Sequence, residues 1–391
     1  MSDVLTTTPL IDSDSHVTEP ADLWSTHLPA KWRDQAPKPV WSDRFNEPRW
    51  RVGDDELNGI GEFAQAGWPE FPPSHPRSYE EADPASFDPK ARLERLDEYG
   101  VYAQVLYPNV LGFSARSFMK LEPEFSFACV SAYNDFLSEF ADTDPNRLIP
   151  IMTLPFWDVE ASIAEMNRAA DNGHRGVLLA AHYDKVGLPN LWDARWEPLL
   201  KAIEERGLSV NFHIGFNELT PDIISHLLES PGDEHTRTAV PVIMGNVRVI
   251  VDLVCTGLCH RFPKLNFVSV ESGASWLPYV MESLDWNWKG HGAHLVRPEM
   301  EVPSFYIKRQ IYGSFWFERE SLSRTIGMMA DNIMFETDFP HGVSLSPGPV
   351  SPADRNPRAM AEEALRGQPD DIIEKVFWNN AARLYNIEKP A

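Results

Sequence analysis

Seven short apolar runs recur from residue 101 onward, each preceded by a stretch of helical or mixed pattern, and an eighth run lies near the N-terminus. Residues 88–100 begin with an N-cap aspartate and a proline at the first helical position and end in a C-cap glycine, so they predict a helix. It leads straight into the apolar run 101–108. Helical period over 125–142, 159–172, 196–206, 247–260 and 320–330 alternates with strand-like runs at 148–152, 176–180, 208–213, 265–271 and 332–338, with a weaker strand at 310–314. Strands that alternate with helices pair in parallel through right-handed crossovers. Eight of them predict an α/β fold, a closed (β/α)8 TIM barrel, formed as one domain over residues 10–387.

In such a barrel the chemistry sits where strands run out into loops. The first strand carries Asp12-Ser13-Asp14-Ser15-His16 and stops before Pro20. Asp14 and His16 are two apart, so a strand points both side chains to one face. His213 closes the fifth strand, Glu271 the sixth and Asp338 the eighth, and His182 follows the fourth. Closure brings the first and last strands together, so Asp14, His16 and Asp338 become neighbours, with His213 across the mouth. Two imidazoles and two carboxylates on one divalent ion leave room for water, as a catalytic site requires. Zinc is the first expectation and manganese the second, because both accept this mixture of nitrogen and oxygen.

Composition narrows the partners. Lys and Arg number 35 against 58 Asp and Glu, a formal charge of −23, which repels phosphate backbones and anionic membrane surfaces. No uninterrupted run of eighteen apolar residues is present, and residues 1–9 lack the basic flank and apolar core of a secretory signal. A cytoplasmic protein without nucleic-acid or membrane partners is expected. Three cysteines, Cys129, Cys255 and Cys259, suit a reducing compartment; Cys255 and Cys259 read as buried helical residues rather than a metal clip with His260. Residues 21–89, dense in Pro and Trp, show no sustained helical period. They read as an insertion after the first strand, either a lid or the contact of a homodimer.

Seven separated motifs occur in order: residues 12–20 (Asp-Ser-Asp-Ser-His-Val-Thr-Glu-Pro), Phe212-His213-Ile214-Gly215, residues 261–265 (Arg-Phe-Pro-Lys-Leu), residues 270–276 (Val-Glu-Ser-Gly-Ala-Ser-Trp), Pro303-Ser304-Phe305-Tyr306, Thr337-Asp338-Phe339-Pro340-His341 and residues 380–385 (Asn-Ala-Ala-Arg-Leu-Tyr). Together they resemble the amidohydrolase-related family, in the branch that includes aminocarboxymuconate-semialdehyde decarboxylase. The resemblance implies a metal-dependent barrel and a hydrolase, hydratase or nonoxidative decarboxylase. It places one metal ion on Asp14, His16, His213 and Asp338. Two positions depart from the family pattern. Asp14 stands where His or Glu is usual, and Glu271 stands where the decarboxylases carry a histidine. No lysine ends the fourth strand, so no carbamylated bridge between two ions is implied.

The expected chemistry is hydrolysis by activated water on a small, aromatic or unsaturated, carboxylated substrate, with Asp338 taking the proton and Glu271 orienting water or acting as a second acid; for decarboxylation, His182 or Glu271 are the candidate acids that protonate carbon. Trp276, Phe339, His341 and His291 are candidate substrate contacts, drawn from the aromatic supply that includes Phe315 and Trp316; His291 and His294 sit in the loop after the sixth strand. Nonoxidative decarboxylation is the alternative. A barrel that binds a ligand or partner chain without catalysis is the reading from a different class.

Overall fold

The computed structural model describes residues 3–216 and 232–390. Eight parallel strands make the barrel: β1 (Ile11–Val17), β5 (Ala103–Pro108), β6 (Leu148–Pro150), β7 (Gly176–Leu178), β8 (Ser209–His213), β9 (Phe267–Val270), β10 (Ile311–Phe315) and β11 (Ile333–Phe335). The remaining three, β2 (Lys38–Ser42), β3 (Glu47–Val52) and β4 (Asp55–Gly59), form a separate antiparallel sheet in the insertion. Seven seams of the barrel are parallel strand pairings, that of β1 with β5 carrying a bulge. The eighth, between β6 and β7, is closed by Met152 N donating to Gly176 O at 3.0 Å and Leu178 N to Met152 O at 2.9 Å.

All eight runs expected to be strands are strands. The helix over Pro89–Tyr99 is set by its caps: the Asp88 side chain accepts from Ala91 N, and Gly100 closes it at φ +67°. The helix expected over 247–260 is instead two, Gly245–Cys255 and Leu258–Arg261, because Gly257 turns left-handed at φ +79°. Cys129 and Cys259 are buried and Cys255 half-buried, all three as free thiols. Helices Gly232–Ile243 and Gly245–Cys255 together make a 24-residue helical stretch that passes for a bilayer crossing by length and hydropathy alone. Its second half packs on the barrel instead of lying bare, with Val249, Ile250, Leu253 and Val254 buried and Asn246 donating to Phe212 O at 2.7 Å.

Polar β1 is wholly buried, and its side chains survive there because the neighbouring strands bond them. Ser13 Oγ donates to Phe335 O and Ser15 Oγ to Val105 O, both at 2.9 Å. Asp12 Oδ1 accepts from Thr337 N at 2.8 Å, and its Oδ2 from Gln104 Nε2 at 2.7 Å and Thr337 Oγ1 at 2.5 Å. A bulge between Asp12 and Ser15 shifts the register against β5 and re-aims Asp14. Beyond β11 the chain stays paired with β1, through Asp338 N to Asp14 O at 3.0 Å and His16 N to Phe339 O at 2.6 Å.

The insertion is more regular than its sequence suggests, since the sheet of β2, β3 and β4 occupies part of the region expected to be irregular. Pro39 and Pro48 lie in the β2–β3 ladder opposite Trp50 and Trp41, where their missing N–H groups disguise the strand pattern. Arg92 joins the end of the insertion to the barrel. Wholly buried, it donates to Ala85 O at 2.5 Å and His16 O at 2.6 Å, and its guanidinium lies 4.5 Å over the Phe339 ring. Ala66 N donates to Pro340 O at 2.9 Å, which fixes the insertion over the loop that follows Asp338.

Glu19, buried beyond the end of β1, accepts from Asn109 N at 3.0 Å and Val110 N at 2.8 Å. Burial outweighs these bonds and pushes its carboxyl up to about 7. A carboxyl whose pKa is higher in the folded than the unfolded chain costs stability as pH rises through that interval, by up to about 3 kcal/mol above pH 7. Glu19→Gln keeps an acceptor for both N–H groups and removes the charge. Thermal unfolding should find the variant more stable than the parent at pH 8, with the difference fading towards pH 5. A difference independent of pH would show that Glu19 carries no buried charge.

Candidate metal centre

The strand ends deliver their side chains to one point. His16 Nε2 lies 2.9 Å from His213 Nε2, 3.7 Å from Asp14 Oδ1 and 3.7 Å from Asp338 Oδ1. His213 Nε2 is 3.6 Å from Asp14 Oδ1 and 3.4 Å from Glu271 Oε2. Ligand-capable atoms of Asp14, His16, His213 and Glu271 fall within 4.8 Å of one another, as do those of His16, Glu271, Asp338 and His341. All four residues expected to hold the ion therefore meet, and Glu271 and His341 join them. Asp14 reaches both imidazoles despite its short side chain.

Two local features aim these groups. Asp338 and Glu271 take the left-handed region at φ +59° and +53°, a conformation that costs a non-glycine residue energy and recurs where a side chain is held for function. His213 Nδ1 donates to Ile214 O at 2.7 Å, which turns Nε2 towards the cluster.

The electrostatics call for a cation. Neither carboxylate oxygen of Asp14 or Asp338 finds a hydrogen-bond donor in good alignment, although both residues are wholly buried. Two apposed imidazole nitrogens beside unmet carboxylate oxygens form the donor set that a divalent ion satisfies, so the residues present fit one ion. Burial, and then the charge of Asp14, raise the Asp338 carboxyl well above the usual carboxylate range. Burial, then His341 and His213, hold His16 far below the ordinary imidazole value. At His213 burial is outweighed by Asp14 and Glu271, and the imidazole rises to about 9.

Glu271, Asp338 and His341 open onto a cavity of about 90 Å³ walled by Phe63, Phe113, Ile214 and Val242. It continues outward into one of about 610 Å³ lined by Trp68, Phe71, Pro72, Val343 and Val350. No Lys or Arg lines either among the described residues. His341 stacks on His16 with ring centroids 4.0 Å apart, places Nδ1 2.8 Å from Asp338 Oδ1 and bonds Asn109 Oδ1 through Nε2 at 2.9 Å.

Other candidates lie elsewhere. His182 faces Asp252 at 3.5 Å and packs edge-on to Trp192, away from both cavities. Phe339 is buried beneath Arg92 and lines neither cavity. Trp276 bonds Ser272 O at 3.0 Å and lines neither cavity. His291 caps the helix Leu277–Gly290, whose 14 residues carry the chain about 21 Å away from the strand ends, and it bonds Asn287 there. Glu336 was not among the expected residues. It is wholly buried, accepts from Glu271 N at 3.2 Å, and is raised well above the carboxylate range by burial and then by Asp14. Its place two residues before Asp338, in an apolar run, is the signal that marks it. Phe63 and Phe113 are brought in only by the tertiary fold.

Comparison with known proteins agrees with this geometry. The chain superposes on an amidohydrolase, map2389c, of Mycobacterium avium subsp. paratuberculosis with a TM-score of 0.72 at 21% identity, covering 98% of this chain and 99% of that one. The 5-carboxyvanillate decarboxylase LigW of Sphingomonas paucimobilis gives 0.61 at 19% identity over 98% and 100%. A 5-carboxyvanillate decarboxylase of Novosphingobium aromaticivorans, solved with manganese and 3-methoxy-4-hydroxy-5-nitrobenzoic acid, gives 0.64 at 17% over 97% of each chain. The amidohydrolase family model matches residues 11–387. With that match spanning nearly the whole chain, and a cluster of metal-ligating side chains at the barrel mouth, the chain belongs to the amidohydrolase family.

Proposed function

We propose that the protein hydrolyses a small, flat or apolar substrate that is uncharged at its reacting end. The observation that carries this reading is the charge of the mouth. Asp14, Glu271 and Asp338 surround the ion position, and among the described residues the cavities are lined by no Lys or Arg, only by the imidazoles of His235 and His341. A substrate carboxylate would meet like charge in a low-dielectric pocket with only the ion to offset it. The lining therefore favours a neutral ester, lactone or amide over the carboxylated substrate expected from sequence.

Asp14, His16, His213 and Asp338 would hold the ion, with Glu271 beside them. When bound there, a divalent ion lowers the pKa of water towards about 7 and polarises a substrate oxygen. Kept ionised by the charge of a bound cation, Asp338 would accept a proton from water as the water oxygen bonds to the substrate's electrophilic carbon, then return that proton to the leaving group. His341 and the backbone pairing with β1 keep the Asp338 carboxylate in place. Phe63 and Phe113 hold the flat part of the substrate and exclude bulk water.

Decarboxylation is the second reading, favoured by the solved structures of 5-carboxyvanillate decarboxylases and by the manganese found in one of them. Carbon dioxide release from 5-carboxyvanillate and 2,6-dihydroxybenzoate, the acids named for the relatives, can be measured beside cleavage of phenyl acetate and dihydrocoumarin. Cleavage without carbon dioxide is expected; carbon dioxide without cleavage would reverse the assignment. Asp338→Asn should lower kcat about 100-fold or more, and equal turnover by variant and parent would remove Asp338 from the reaction. His213→Ala should lower the metal bound per chain in elemental analysis after dialysis. An unchanged stoichiometry would take His213 out of the ligand set.

A further inference from the structure

The insertion places one acidic group in the inner cavity that the metal centre does not account for. Glu62 is 5% exposed and lines that cavity together with Glu271, Asp338 and His341. Its Oε1 accepts from Arg49 Nη1 at 2.7 Å, and the same nitrogen donates to Glu47 Oε1 at 2.7 Å. Glu47 also bonds His75 Nε2 at 2.9 Å. Glu62 Oε2 is buried and has no hydrogen-bond partner.

Glu47, Glu62 and His75 bring ligand-capable atoms within 4.8 Å of one another, but the Arg49 guanidinium already bridges the two carboxylates. The cluster is an ion-pair network with its cation built in. Its backbone is fixed as well: a Cβ on Gly61 would lie 1.9 Å from Pro76 O, so only glycine allows the chain before Glu62 to approach that closely. One carboxylate oxygen is thus held by a rigid frame, while the other is buried and unmet on a side chain that lines the cavity. A buried acceptor without a donor is costly, which singles it out as a group awaiting a partner.

We propose that Glu62 is a specificity-determining residue whose Oε2 accepts a hydrogen bond from a hydroxyl or amino group of the substrate, carried away from the reacting end. This rests on the metal-dependent reading of the site above. It narrows the substrate class to flat molecules with a hydrolysable group at one end and a neutral donor at the other. A carboxylate in place of that donor would face Glu62 with like charge.

Benzohydroxamate, which anchors on a divalent ion through its two oxygens, serves as the probe, with meta- and para-ring derivatives carrying hydroxyl, methyl or methoxy groups. Binding to the zinc-loaded parent is measured by calorimetry. A hydroxyl at one of the two positions should bind about tenfold or more tightly than the matching methyl, as a hydrogen bond to a charged acceptor allows. In Glu62→Gln the amide oxygen remains on Arg49 and the amide N–H groups replace Oε2. Preference should then pass from hydroxyl towards methoxy, while unsubstituted benzohydroxamate binds as it does to the parent.

Equal affinity for hydroxyl and methyl probes in the parent overturns the proposal, whatever the variant does. A hydroxyl preference that survives in Glu62→Gln also overturns it. If unsubstituted benzohydroxamate shows no zinc-dependent binding to the parent, the metal reading fails and takes this one with it. Tight binding without ring selectivity removes only the role of Glu62.

Discussion

A single buried carboxylate, Asp12, fastens the barrel where the site emerges. Its two oxygens accept from Thr337 N and Oγ1, Gln104 Nε2 and Asp14 N, so one side chain ties β1 to β5 and to the chain that continues from β11. Those donors do not fully offset burial, and the carboxyl is pushed up to about 7. What this linkage secures is register. Asp14 and Asp338 lie two residues and one residue beyond the bonded positions, and Asp338 N donates to Asp14 O, so the two carboxylates cannot slide past one another. From that seam follow the separations that make His16 and Asp338 neighbours and set His213 opposite.

Convergence of this kind has an electrostatic consequence. Asp14, Glu271 and Asp338 crowd the mouth of a protein whose formal charge is already −23. Like charges in a low-dielectric pocket repel, and the barrel meets this in two ways. Glu336 and Asp338, both wholly buried, are pushed towards their neutral forms by burial and then by Asp14. The others keep oxygens directed at the imidazoles, an arrangement that a divalent ion completes. The absence of Lys and Arg from the described cavity lining extends the same reasoning to substrate, which is why the charge of the mouth favours a neutral reacting group.

Much of this was legible before any coordinates. Alternation of helical and apolar runs specifies parallel strands; an imidazole or carboxylate closing an apolar run draws attention to His213 and Asp338, and the two-residue spacing on polar β1 puts Asp14 and His16 on one face. Phe339 adjoins Asp338 in sequence, but the left-handed backbone at Asp338 and the packing of Arg92 bury its ring away from the mouth, which adjacency in the chain does not reveal. His291 shows the limit of chain proximity, since the helix Leu277–Gly290 removes it from the strand ends. Glu62, Phe63 and Phe113 reach the cavity through contacts between segments far apart in the chain, and no local pattern encodes those. In β2 and β3, Pro39 and Pro48 obscure the strand pattern of a sheet whose ladder tolerates them.

Anomalous diffraction from crystals of the protein loaded with zinc or manganese tests the central claim most directly. One ion should appear per chain, bonded at about 2.0–2.3 Å to His16 Nε2, His213 Nε2 and carboxylate oxygens of Asp14 and Asp338. An ion bound elsewhere, or no ion at these residues under saturating metal, would contradict it.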